Sequence, residues 1–314
     1  MTSARLSCRI ASLVACGLLV PQGAVRAVAV EPAAARLPAS PAGQATMSSV
    51  FRQAAKLTAS DGAQGDELGN AVAVSADGST VVAAVWAATV SGHAVQGALY
   101  VFERPAGGWS NDTNAAKLTA SDGAAQDLFG YSVAVSSDGS TVVAGAIFAT
   151  EVGNRNGPGA AYVFVRPAGG WKDATETARL TASDRHQGDN FGISVAMSGD
   201  GSTVAVGAQQ AFVGTKLGAV YVFVRPGSGW TSATETAKLQ GSDEGSQDLL
   251  GHCVGLSRDG STIVAGADGA TVSGSNGLGA VYVFLRRRLG ERDRDRQAHH
   301  RGGRSFRLVR RGER

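Results

Sequence analysis

Acidic residues recur at fixed offsets in this chain, and a carboxylate held in one place by several copies of a unit is where chemistry would be sought first. Asp77, Asp138, Asp200 and Asp259 each sit in a Ser-x-Asp-Gly-Ser run, with a period of roughly 60 residues. A second set comes in pairs, Asp61/Asp66, Asp122/Asp127, Asp184/Asp189 and Asp243/Asp248. The gap within each pair could bring two carboxylates to one hard cation. The plainer reading is that both sets bond local backbone, as Asx turns and caps. Each hairpin offers a single carboxylate, so the structural reading is preferred and no residue is assigned to a metal.

Other reactive side chains are scattered. His93, His186 and His252 occupy different repeat positions, with no His-x-x-x-His and no Cys/His cluster. Ser is plentiful in turns, but no Gly-x-Ser-x-Gly elbow occurs. Glycine-rich stretches lie between strands with no helix following, which disfavours a phosphate cradle. No catalytic and no cofactor-binding residue is therefore assigned. Trp109, Trp171 and Trp230 recur after glycine and read as caps on hydrophobic cores, a sugar-stacking platform being the alternative. Trp86 stands alone where a strand runs into a variable loop, and it is the candidate for a binding surface. Asn111-Asp112-Thr113 is a glycosylation acceptor in a turn, and Arg-Gly-Asp is absent.

The elements that would position these residues come from an internal repeat. "AAKLTASDGAQGDELGNAVAVSADGSTVVAA" from Ala54 aligns with "AAKLTASDGAAQDLFGYSVAVSSDGSTVVAG" from Ala115, and further copies start at Thr177 and Thr236. Repeats of this length with several strands per unit indicate propeller blades. Each unit reads as four strands, typified by "YSVAVS" (131–136), "TVVAGA" (141–146), "AAYVFV" (160–165) and "TARLTA" (177–182). Asp-Gly supplies the positive φ of a tight hairpin between the first two, and "RPAGGW" turns the chain between the last two. Strands such as "GAVYVF" (218–223) are apolar without alternation, so both faces must be covered.

The fold expected is all-β: a β-propeller of four-stranded blades, four of them legible, at about 51–114, 115–176, 177–235 and 236–285. "FRQAAKLTA" (51–59) is a fourth strand with no first three before it, suited to closing a ring at its terminus.

"DLFGYSVAVSSDGSTVVAGA" followed by "GAAYVFVRPAGGW" resembles the FG-GAP repeat of integrin α-subunit propellers and their microbial and algal relatives. Phe-Gly is present at 129–130 and 191–192 and becomes Leu-Gly at 68–69 and 250–251. The resemblance implies a ring of about seven blades, from which the four legible here would be truncated. It also implies an adhesion or recognition role and leaves calcium open as a cofactor, since such repeats often carry Asp-x-Asp-x-Asp-Gly loops.

The remainder of the chain frames this repeat region. Residues 1–29 read as a signal peptide: Arg5 and Arg9, an apolar core from Ile10 to Val20, and a small-x-small site at Ala27-Val28-Ala29. "LVAC" (13–16) also resembles a lipobox, but apolar residues continue past Cys16. Residues 30–50 form an Ala/Pro/Ser linker. Cys8 and Cys16 fall in the leader, which leaves Cys253 alone, with no disulfide framework; its strand neighbours suggest a packed thiol.

Residues 286–314 are different in kind. Their arginines outnumber acids by about eight, so the formal net charge of +3 hides a mildly acidic body. Read one base over, the codons of Arg288 to His300 can spell Gly-Trp-Ala-Ser-Ala-Thr-Glu-Thr-Ala-Lys-Leu-Thr, the repeat again (compare "GWTSATETAKLQ", 229–240). The tail is thus expected to be a frameshift product, Arg-rich and disordered, rather than a nucleic-acid arm.

The function expected is non-enzymatic. A secreted or cell-surface scaffold would bind an extracellular protein or polysaccharide through loops on one propeller face, with no nucleic-acid partner and no transmembrane segment. A structural matrix or cell-wall protein and an accessory domain of an extracellular enzyme are the alternatives.

Overall fold

The four strands of the first unit form one antiparallel sheet, blade I: β1 (Val72–Val74), β2 (Thr80–Val85), β3 (Ala98–Glu103) and β4 (Ala116–Thr119). Blade II repeats the order with β5 (Phe129–Val135), β6 (Thr141–Ala146), β7 (Ala160–Val165) and, after the two-residue β8 (Ala174–Thr175), β9 (Ala178–Thr181). Blade III contains β10 (Phe191–Met197), β11 (Thr203–Val213) and β12 (Lys216–Val224), then, past β13 (Ala233–Thr234), β14 (Ala237–Leu239). Blade IV has β15 (Leu250–Leu256), β16 (Thr262–Ala267) and β17 (Ala280–Leu285). This computed structural model describes residues 52–286 apart from 112–114, 151–155, 215, 243–244 and 246. Residues 1–51, which include the stretches read as a signal peptide and a linker, and the tail after Arg286 lie outside the described residues.

The blades stack face to face, and the cores lie between sheets. One core joins Val82, Leu99 and Leu118 of blade I to Phe129, Val142 and Tyr162 of blade II. A second joins Val163 and Leu180 of blade II to Phe191, Val206 and Tyr221 of blade III. A third joins Val220 and Val222 of blade III to Leu250, Ile263 and Ala265 of blade IV. Each inner strand therefore needs apolar residues on both faces, and Val with aromatic residues satisfies that on a pleated surface. The result is a β-propeller architecture of three four-stranded blades and a fourth blade with three strands among the described residues, and its row of sheets does not close into a ring among them.

Glycine permits the close approach. A Cβ on Gly207 would overlap the Gly251 carbonyl of the next blade, and one on Gly145 would overlap that of Gly192. Side chains and backbone then stitch the blades together. Ser132 Oγ donates to the Gly192 carbonyl at 2.7 Å, and Ser194 Oγ to that of Gly251 at 2.8 Å. At the hairpin tips, Ala76 N–H donates to Ser137, Ser137 N–H to Gly199, and Gly199 N–H to Arg258, at 2.9, 2.8 and 2.7 Å.

The hairpin between first and second strands is longer than a two-residue turn. Ser75 N–H donates to the Thr80 carbonyl, and Gly78 N–H closes back onto the Ser75 carbonyl, both at 2.9 Å. Within Asp-Gly only the glycine takes positive φ, 68° at Gly78. The aspartate serves through its side chain instead.

Three details depart from the sequence reading. The short β8 and β13 run parallel to the fourth strand of the preceding blade, through Leu118↔Ala174 and Leu180↔Ala233. Each unit thus overlaps its neighbour by a strand too brief to show periodicity. Of the orphan segment, residues 52–59 form no extended strand; Leu57 makes an isolated bridge, and with Ala59 it packs on the outer core of blade I. Cys253 does lie on a strand, β15, but it is exposed. It occupies the position of Ser132 and Ser194, whose hydroxyls reach the following blade, and no blade follows among the described residues.

Candidate functional site

The hairpin aspartates are committed to their own turns. Asp77 Oδ1 accepts from Ser75 Oγ at 2.7 Å, Ser79 N–H at 2.9 Å and Ser79 Oγ at 2.8 Å. Asp138, Asp200 and Asp259 repeat the pattern with their flanking serines. Ser75 Oγ in turn accepts the Thr80 N–H at 3.0 Å, replacing the backbone carbonyl that Gly78 already uses. The serine hydroxyl first, then the Ser79 amide and hydroxyl, pull the Asp77 carboxyl down to about 2, and the matching serines do the same at Asp200 and Asp259. One carboxylate per turn, one oxygen of which already serves three donors, does not suit a calcium shell of six to eight oxygens. Among the described residues no three His, Cys, Asp or Glu side chains converge on a cation position.

The paired acids divide two tasks. Asp66, Asp127, Asp189 and Asp248 each accept the backbone N–H of the residue three before them, at 2.7, 2.7, 2.6 and 2.8 Å, which is a local cap. Asp127, Asp189 and Asp248 are buried. Burial raises the Asp127 carboxyl to about 6 and pushes Asp189 upward as well. The other member of each pair bridges two strands. Asp61 takes the Tyr100 hydroxyl and the Lys117 ammonium, both at 2.5 Å. Asp122 takes the Tyr162 hydroxyl at 2.9 Å and Arg179 Nε at 3.1 Å, and Asp184 takes Tyr221 and Lys238. Asp243 lies outside the described residues. Burial and the Asp61 carboxylate lift the Tyr100 phenol to about 12. These Tyr-Asp-Lys/Arg clusters were not anticipated, although Tyr and Lys/Arg recur with the repeat and their common period carried the signal.

The recurring tryptophans act as caps. Trp109, Trp171 and Trp230 donate their indole N–H to the hairpin carbonyls of Gly78, Gly139 and Gly201, at 3.1, 3.0 and 3.1 Å. The histidines do not converge: His93 Nδ1 is 2.9 Å from the Gly123 carbonyl, whereas His252 Nδ1 is 2.5 Å from Gln209 Oε1. Asn111 is exposed, and its Oδ1 accepts the Lys56 N–H at 2.7 Å, a place taken one blade on by Asp173 against Lys117. Its sequon partners lie outside the described residues.

Antiparallel strands put the connections between second and third strands at the end of the blades opposite the hairpin tips. Trp86 sits there in the turn after β2, half-buried. A more accessible aromatic was missed. In blade III, β11 and β12 continue past the sheet as a projecting ribbon, with Phe212 opposite Leu217 and 62% exposed. The sequence there has neither proline nor a glycine cluster, only Gly214-Thr215 between two apolar runs, and that was the sign of a prolonged hairpin. The same end of blade IV has an open cavity of about 710 Å³, lined in part by Gln247, Asp248, Thr271 and Asn276. No helix among the described residues is long and apolar enough to cross a membrane.

Two solved structures share some of this geometry. Hydrazine Synthase of Kuenenia stuttgartiensis is 19% identical, with a TM-score of 0.41 over 70% of this chain and 47% of that one. The Dos1 propeller is 15% identical, with a TM-score of 0.40 over 63% and 42%. The chain spans less than half the length of either. No curated protein matches it. The FG-GAP repeat model matches four times, at residues 51–102, 113–164, 174–223 and 233–284. The second match opens just before the fourth strand β4, the third and fourth open on the short parallel strands β8 and β13, and all four end within a third strand, which is how the overlapping units are built. The chain belongs to the FG-GAP repeat family.

Proposed function

We propose that the protein is a non-enzymatic recognition scaffold, secreted or displayed at a cell surface, which binds an extracellular protein or polysaccharide through the loops opposite the hairpin tips. The observation that carries this reading is Phe212, a large apolar side chain held 62% exposed on a projecting ribbon. Exposed aromatic side chains on a rigid support are a common anchor for proteins and a stacking surface for sugars. Trp86 and the polar cavity at Thr271 and Asn276 flank the same end. The recurrent acids support a non-catalytic role, since their carboxylates are engaged in turns, caps and strand bridges. Calcium is not required by this reading. An Asn111 glycan would sit at the opposite, hairpin end and leave the loops clear.

Glycan arrays and a surface-protein pull-down with the full chain provide the test. A specific ligand should emerge, and Phe212→Ala should weaken it roughly tenfold or more, as for an interface anchor, with the melting temperature unchanged. Absence of any ligand would favour a structural matrix role, and hydrolysis of an arrayed glycan would establish the enzyme reading in its place.

A further inference from the structure

Between blades III and IV runs a mostly apolar groove of about 210 Å³, lined in part by Val222, Ala237, Leu239, Gly260, Ile263 and Phe284, with Thr203, Ser261 and Arg286 also on its walls. The corresponding groove between blades I and II is filled. There Trp171 packs against the core cluster that includes Val101, Ala116, Leu118, Val142 and Phe164, and its indole N–H donates to the Gly139 carbonyl. Trp230 fills the groove between blades II and III in the same way, 5% exposed, on Gly201. Gly260 holds the Gly139 and Gly201 position in blade IV, Ile263 that of Val142, and Phe284 that of Phe164. A cavity of ~150 Å³ accommodates benzene, so the present one has room for an indole.

The filled grooves show what accompanies the tryptophan. Two residues after Trp171, Asp173 Oδ1 accepts the Lys117 N–H of the preceding blade at 2.8 Å, and Ser232 Oγ accepts that of Arg179 at 3.0 Å. β8 and β13 then add a parallel strand. Glu176 and Glu235 finally receive the backbone N–H and hydroxyl of Ser121 and Ser183, at 2.6–2.9 Å. Blade III offers the same donors in Lys238 and Ser242.

We infer that this groove is a tryptophan socket, and that its occupant is the segment Gly-Trp-Ala-Ser-Ala-Thr-Glu-Thr-Ala-Lys-Leu-Thr spelled one base over by the codons of Arg288 to His300. The tryptophan enters against Ile263 and Phe284 and donates to Gly260. The serine meets Lys238 N–H, the Ala-Thr pair lies parallel to Leu239 and Gln240, and the glutamate meets Ser242. The assignment is independent of the ligand-binding proposal.

The probe is a fluorescein-labelled peptide with the sequence of residues 229–240, titrated into the full 314-residue chain. It should bind one to one, and its W230A form should bind roughly tenfold more weakly or worse, because a buried aromatic anchor carries most of such an interface. A second measurement uses the chain with residues 288–299 replaced by the in-frame segment. A fifth indole N–H signal should appear, and the Lys238 and Gln240 amides should become protected from exchange. Equal binding of the W230A peptide, no binding, or an unprotected Lys238 in the replaced chain overturns the inference. A dimer in sedimentation that excludes the peptide would assign the groove to a second copy and would overturn it equally.

Discussion

Strands β7 and β17 have nearly the same sequence, Ala-Ala-Tyr-Val-Phe-Val and Ala-Val-Tyr-Val-Phe-Leu, and the same place in their blades. In β7, Ala161 and Val163 are fully buried; in β17, Val281 is 71% and Val283 61% exposed. The difference is not in the strand. It is the sheet on the far side, present for blade II as blade III and absent for blade IV among the described residues. Burial in this fold is supplied by the neighbour, and a blade's sequence is written on the assumption that one is there. An apolar strand face of this kind left open is a site for association.

The largest effect that tests the comparison is a charge placed at the matched position. Val163→Lys should abolish cooperative folding, a loss on the order of 4 kcal/mol or more, since it buries an unpaired charge. Val283→Lys should leave the unfolding free energy from urea titration within about 0.5 kcal/mol and reduce self-association in sedimentation. Comparable losses from both would mean that β17 is covered in solution.

A smaller contrast lies in the glycines at the end of the second strand. Gly207→Ala drives a methyl into the Gly251 carbonyl and should cost about 2–3 kcal/mol. At Gly266 the nearest atoms to an added Cβ are 3.8 Å away. Gly266→Ala should be neutral or gain up to about 1 kcal/mol by restricting the unfolded chain. Chemical denaturation of the two variants side by side decides whether close packing ends at blade IV.

The finest test concerns a carboxylate that a neighbouring blade helps to bury. Asp127 lies on the path from blade I to blade II, next to Gln126, whose N–H bonds the Ala94 carbonyl of the preceding blade's loop. Its folded pKa, raised to about 6, exceeds the ordinary carboxylate value of 3.8. The protonated form is therefore favoured on folding, and the stability it confers at low pH is lost as pH rises from about 4 through 6. Asp127→Asn keeps the acceptor for Ala124 and removes the charge. It should match the parent near pH 4 and exceed it by about 2–3 kcal/mol at pH 8, the shift of roughly two pKa units being worth ~1.4 kcal/mol each. Urea titrations at both pH values measure the gap, and a parallel offset at both would refute it.

The blades themselves were legible in the sequence because their signals are redundant. "TVVAGA" and "AAYVFV" coincide with β6 and β7 residue for residue. Strand period, Asp-Gly punctuation and repetition all point the same way there. What escaped detection depends on partners distant in the chain. β8 and β13 are two residues each and exist only because another blade pairs with them. Cys253 looks packed from its flanking residues, yet its surroundings belong to a different sheet. The candidate site followed the same rule. Trp86 stood out as a lone aromatic, whereas Phe212 gains its exposure from the extension of β11 and β12, which no single residue announces.

The amide-to-carbonyl relay from Ala76 through Ser137 and Gly199 to Arg258 runs in one sense only. Each inner tip, at Ser137 and Gly199, gives its hydrogen forward and receives from behind, so the row has polarity, like a queue in which each member faces the next one's back. A unit inserted in reverse would set hydrogen against hydrogen at one seam and oxygen against oxygen at the other. Growth by tandem duplication preserves that sense automatically, and an inverted copy could not join the line.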